Sequence, residues 1–163
     1  MKRTTDHAER AEELFRGGYN CAQSVFAAFC DLTGMDEETA LKISSPFGGG
    51  MGRMREVCGA LSGAFMALGM LNGYSDADAG EKKAELYSQV REIAERFKAE
   101  HGGTIICREL LSGAAKGTGD APTPRNGEFY RTRPCVGYVR AAAEIFEDFL
   151  RTHDYFKTQG EEK

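Results

Sequence analysis

The chain has 163 residues, 41% of them apolar, which is enough for one globular domain with its own core. A net charge of −4, with Lys and Arg dispersed along the sequence, excludes a general nucleic-acid binder. The most apolar run, 57–71, carries no charge but is shorter than the ~20 residues that cross a bilayer, so no membrane insertion is expected.

Helical signals dominate from the start, and no period-2 strand is readable. A charged amphipathic segment predicts a first helix over about Thr5 to Phe15, ended by Gly17-Gly18. Asn20 is a good N-cap for a second helix from Cys21 to about Leu32, with apolar residues at 22, 25, 26 and 29 and a stop at Gly34. Asp36-Glu37-Glu38-Thr39 opens a short third helix with acidic residues in its first turn, and Ser45-Pro46 stops it. The glycine-rich stretch Phe47 to Gly52 lacks a phosphate-loop pattern and reads as a close backbone turn.

A fourth, buried central helix is predicted over about Val57 to Leu71, with Cys58 in its first turns and Asn72-Gly73 closing it. The fifth runs from about Asp76 to His101, with Leu86, Val90, Ile93 and Phe97 on one side. Thr104 is placed to cap a short helix in which Cys107 is N3. Residues 112–127, rich in Gly and Pro, read as a long loop that is mobile or acts as a lid. Pro134 suits a first helical position, which makes Cys135 N2 of a last helix carrying Val139, Ala142, Ala143, Ile145, Phe146, Phe149 and Leu150. A flexible tail is expected over 158–163. The predicted architecture is all-α, a single-domain bundle of about six or seven helices spanning 1–163.

Four of the five cysteines, Cys21, Cys58, Cys107 and Cys135, therefore fall at predicted helix starts, where unpaired N–H groups and the helix dipole favour thiolate. Gly59, Gly63 and Ala67, four apart, line one side of the fourth helix and would let another backbone, bearing its own cysteine, approach Cys58. Close approach for a disulfide, with Cα atoms under ~7 Å apart, is expected between Cys58 and at least one of the other three. Arg53, Arg55, Arg108, Arg131 and Arg133 flank these cysteines and would further lower thiol pKa, most at Cys58 or Cys135. Cys30 lies nine residues after Cys21, roughly on the opposite side of the same helix, and is excluded from the cluster. His7, His101 and His153 are assigned surface or capping roles.

The ordered set of cysteines, with Gly18-Tyr19-Asn20-Cys21-Ala22-Gln23-Ser24, Cys58-Gly59-Ala60-Leu61-Ser62-Gly63, then Cys107 and Cys135, resembles the C_GCAxxG_C_C family over about residues 10–150. The resemblance implies a redox-active protein; Cys30 has no place in the pattern.

The favoured reading is a cytoplasmic thiol redox protein, with a thiol-disulfide oxidoreductase as its enzymatic form, using Cys21, Cys58, Cys107 and Cys135 on a thiol, disulfide or other redox substrate, with no assigned cofactor. The alternative is a metal protein in which the same four thiolates hold Zn or an iron–sulfur cluster, although separations of 37, 49 and 28 residues include no C-x-x-C pair. A non-catalytic helical interaction module is a third reading, and a homo-oligomer is compatible with each.

Overall fold

The computed structural model describes residues 6–112, 119 and 121–158. These form α1 (His7–Arg16), α2 (Cys21–Ala28), α3 (Cys30–Thr33), α4 (Glu37–Ser44), α5 (Gly59–Asn72), α6 (Gly80–Glu100), α7 (Cys107–Leu111), α8 (Gly127–Thr132), α9 (Cys135–Thr152) and α10 (Tyr155–Thr158). A 3-10 turn at Ser45–Phe47 follows α4. The fold is all-α, with six helices of seven residues or more. Extended pairing among the described residues is limited to one antiparallel bridge, Val57 to Ile106.

Polar caps set the helix starts. Asp6 accepts from the Glu9 amide, Asp36 from the Thr39 amide and Asn126 from the Phe129 amide. Asn20 and Gln23 form a reciprocal capping box at α2. Gly34, at positive φ, ends α3.

The apolar helix α5 is central, with α2 laid along it; α1 packs on α2 and α9, and α9 also meets α2, α5 and α6. Seven apolar residues of α9 anticipated from their spacing, from Val139 to Leu150, are all buried. On α6, Ile93 and Phe97 are fully buried, while Leu86 and Val90 flank the same core. Such burial stabilises by roughly 25 cal/mol per Å² of apolar surface removed from water. No helix of the described residues is long and apolar enough to cross a membrane.

Several expectations are corrected. The second helix breaks at Phe29 (φ −102°, ψ 14°), and Cys30 opens the separate α3. Helix α6 begins at Gly80, because the Asp76 side chain accepts from the Asp78 amide and holds a competing turn. Residues 127–132, read as loop and linker, form α8. The lid expectation falls largely on 113–118 and 120, and the tail expectation on 159–163, all outside the described residues.

His7 is not a surface residue. Its ring is 3% exposed, stacks on Phe29 at 4.4 Å, and places Nε2 3.1 Å from each Asp31 carboxylate oxygen. His101 and His153 do cap α6 and α9.

Candidate functional site

Cys21 is N1 of α2, Cys58 is the N-cap of α5, Cys107 is N1 of α7 and Cys135 is N1 of α9. Cys107 thus sits two positions and Cys135 one position earlier than predicted, and Cys58 stands just ahead of its helix rather than within its first turns. Thr104 does not cap α7: its hydroxyl accepts from the Ile106 amide and leaves Ile106 as the cap residue. Pro134 likewise stands outside α9 as its cap. All four cysteines line a single cavity of about 310 Å³, and all five cysteines of the chain are free thiols. Cys30 also opens a helix yet does not line that cavity. Helix starts alone therefore do not separate the cluster from Cys30; the fold does.

Two features draw the segments of Cys21, Cys58 and Cys107 together. The first is the Val57 to Ile106 bridge, in which the Cys58 amide donates to the Ile105 carbonyl at 2.8 Å and the Cys107 amide to the Glu56 carbonyl at 2.6 Å. The second is a set of glycines. A Cβ at Gly59 would lie 2.4 Å from Cys21 Sγ and 2.8 Å from the Phe47 carbonyl oxygen, and one at Gly63 would lie 2.5 Å from the Ala22 carbonyl oxygen. The stripe on α5 is thus where the first turns of α2 rest, as its spacing suggested. Gly50, at φ +67°, brings the glycine-rich turn against Cys107, where a Cβ would stand 2.6 Å from that of the cysteine.

Above the sulfurs, the cavity wall is made of Arg53, Arg55, Arg125 and Arg133 with Phe15, Phe129 and Tyr138. The Arg55 side chain is buried and its Nη1 donates to Cys107 Sγ at 3.9 Å. Arg125 lies over the rings of Phe15 and Phe129, 4.5 and 4.4 Å from their centroids. Arg108 and Arg131, expected beside the cysteines, do not line the cavity; Arg108 instead pairs with Glu56 at 3.0 Å.

Burial governs the acidity of these thiols. It pushes Cys58 well above its ordinary value, with Cys21 and Cys107 adding to the effect and the amides of Ala60 and Leu61 opposing it. Cys107 is raised by burial against the opposing hydrogen bond from Arg55. Cys135 is pushed up to about 12, by burial first and Cys21 second, against Arg133. The expectation of a lowered pKa at Cys58 or Cys135 is therefore corrected. Loss of water around a buried sulfur outweighs both the partial charge of a helix end and a neighbouring guanidinium. Cys21 contributes to the upward shift of all three.

A family model described as "Putative redox-active protein (C_GCAxxG_C_C)" matches residues 19–149. The chain belongs to this C_GCAxxG_C_C family. No curated protein and no solved structure is significantly similar to it.

Within this C_GCAxxG_C_C chain, the four patterned cysteines are those of the cavity, and Cys30 stands apart among Glu37, Asp31, Asp36 and Arg10. Among the described residues, no three His, Cys, Asp or Glu side chains are grouped so that they could hold one metal ion. Arg125, Phe15, Phe129 and Tyr138 went unread in the sequence. Arg125 sits in a Gly- and Pro-rich loop more than a hundred residues from Phe15, and nothing in its local pattern marks it. Tyr138, one turn into α9, donates its hydroxyl to the Leu110 carbonyl at 2.8 Å and ties α9 to α7 beside the sulfurs.

Proposed function

We propose that the protein is a thiol redox protein whose clustered cysteines exchange electrons with a disulfide. The observation that carries this reading is the convergence of Cys21, Cys58, Cys107 and Cys135, from four separate helix starts, on one cavity while Cys30 is left outside. Four thiols in one cavity can supply an attacking and a resolving sulfur, which a lone cysteine cannot.

The exchange balances as follows. One cluster thiol loses its proton and attacks a substrate sulfur; the substrate S–S bond breaks, a mixed disulfide forms, and the first substrate half leaves as a thiol after taking up a proton. A second cluster thiol, also deprotonated, attacks the protein sulfur of the mixed disulfide. The second substrate half leaves with a proton, and the protein holds a new disulfide. Two protein sulfurs have been oxidised and one disulfide reduced.

The chain's residues fit these roles. Burial keeps Cys58, Cys107 and Cys135 protonated at neutral pH, which limits stray oxidation. Arg55, beside Cys107 Sγ, is placed to stabilise a thiolate there once it forms. We assign Cys21 as one partner of the disulfide, because its Sγ lies against the start of α5, 2.4 Å from where a Cβ on Gly59, next to Cys58, would stand. Such a dithiol belongs in a reducing compartment such as the cytoplasm.

The test uses reduced protein prepared without oxygen. One equivalent of a low-molecular-weight disulfide is added, and the products are mapped by alkylation and peptide mass spectrometry. A disulfide within the set of four, with Cys30 still alkylatable, is expected; Cys58→Ser should abolish or reroute it and Cys30→Ala should not. Pairing through Cys30, or four thiols that stay reduced, would overturn the reading. Elemental analysis of the same sample covers the metal reading: stoichiometric zinc or iron without disulfide formation would replace the redox proposal with it.

A further inference from the structure

We propose that this cavity selects small anionic disulfides, meaning disulfides whose ends carry carboxylate or sulfonate groups, through Arg53, Arg125 and Arg133. The proposal deepens the thiol redox reading and rests on it for the chemistry, though not for the binding.

Four guanidinium groups line the cavity, and no carboxylate of the described residues does. Of the eight described arginines outside the cavity, the exposed Arg91 and Arg131 have no ion pair among the described residues, and the other six do. Arg10, Arg16, Arg96, Arg108, Arg140 and Arg151 each meet an Asp or Glu. Among the described residues no ion pair involves Arg53, Arg125 or Arg133. Neutral groups position them instead. Arg125 donates to the carbonyls of Phe15 at 3.5 Å and Tyr19 at 3.1 Å. Arg133 donates to the Thr123 hydroxyl at 3.0 Å and lies over the Phe129 ring, 4.7 Å from its centroid. Arg53 donates to the carbonyls of Gly119 and Ala121.

All three are half-buried. The pKa of Arg133 is lowered by burial and then by Arg55 and Arg53. Carbonyls and rings fix the direction of a guanidinium without neutralising it, so Arg53, Arg125 and Arg133, which meet no carboxylate among the described residues, present positive charge to the cavity while Cys58, Cys107 and Cys135 are protonated. Gathering like charges in a partly desolvated pocket costs free energy that a bound anion offsets. The remaining wall, with Phe15, Leu110, Leu111 and Phe129, suits a short apolar body between charged ends. The sulfurs lie in the same cavity, so an anion seated on the guanidiniums brings its S–S bond within the same small volume as the cysteines.

Three disulfides of similar size separate charge from reactivity: 3,3′-dithiodipropionate, a dianion; 2-hydroxyethyl disulfide, which is neutral; and cystamine, a dication. Each rate of cluster oxidation in the folded protein is divided by the rate for the same disulfide with the chain unfolded in denaturant. The dianion should lead the neutral compound by about tenfold or more at low salt, since clefts of one charge sign raise local counter-ion concentration by 10- to 1,000-fold. Cystamine should be slowest. Arg133→Gln should collapse the ranking and Arg133→Lys should restore part of it. A second measurement uses 3,3′-thiodipropionate, a thioether dianion with no bond to exchange, which should raise the Tm of the native protein but not of a doubly substituted Arg125→Gln, Arg133→Gln protein. Equal normalised rates with no thioether effect would overturn the anion proposal and leave thiol redox chemistry standing. An arginine-dependent thioether shift with no oxidation by any disulfide would keep the anion site and remove the redox reading.

Discussion

Cys58 and Cys107 are joined through their backbones: the Cys58 amide donates to the Ile105 carbonyl at 2.8 Å, and the Cys107 amide to the Glu56 carbonyl at 2.6 Å. These two bonds flank the Val57 to Ile106 bridge. The segments before α5 and α7 thereby bring two of the four cysteines to one cavity.

Because one bridge holds both amides, Cys58 and Cys107 should be protected from hydrogen exchange to a similar degree and should open together as denaturant is added. Residue-resolved exchange by NMR checks this. Exchange at Cys107 near the rate of an unstructured peptide, with Cys58 still protected, would show that the bridge does not couple them.

Gly59→Ala should destabilise the protein by about 1–3 kcal/mol, since its methyl would stand 2.4 Å from Cys21 Sγ and 2.8 Å from the Phe47 carbonyl oxygen, which is backbone and cannot turn aside as a side chain can. Gly69→Ala lies on the same helix with nothing within 4 Å of an added Cβ, and should instead gain about 0.5–1 kcal/mol from reduced unfolded-state freedom. Denaturant unfolding of both variants decides the matter; the same sign for both would mean that α2 does not rest on the glycine stripe.

The raised pKa of Cys135 gives stability a defined alkaline limit. An unfolded chain ionises this thiol near 9.0, whereas the folded protein holds its proton up to about 12. Between these values the folded state binds more protons than the unfolded one, so this contribution is fully present below pH 9 and is lost as pH rises toward 12. Tm measured from pH 8 to 11 should fall less steeply for Cys135→Ala than for the natural protein. Parallel slopes would contradict the burial of that thiol.

Much of the helical architecture was legible because its determinants are local. Asn20 and Asp36 cap their helices by side-chain bonds three residues on, and the spacing from Val139 to Leu150 needs no distant partner to reveal a buried face. The candidate cysteines were legible in the same way, as residues beside start signals. The break at Phe29 and the burial of His7 were not, because the Phe29 ring stacks on His7 and meets Phe146 edge-on at 4.8 Å, contacts between residues far apart in the chain.

By itself the sequence determined the all-α class and most of the longer helices, the glycine stripe on α5 and which four cysteines carry the family pattern, since periodicity, capping and spacing act within a few residues. Only the tertiary structure decided that the four thiols share a cavity, that burial holds Cys58, Cys107 and Cys135 in the neutral form, and that Arg125 joins Arg53, Arg55 and Arg133 above them. The reason is physical. Desolvation and the crowding of like charges depend on what surrounds a group in space, and Cys135 acquires its surroundings from segments near residues 21, 53, 107 and 125, which no local window of the chain contains.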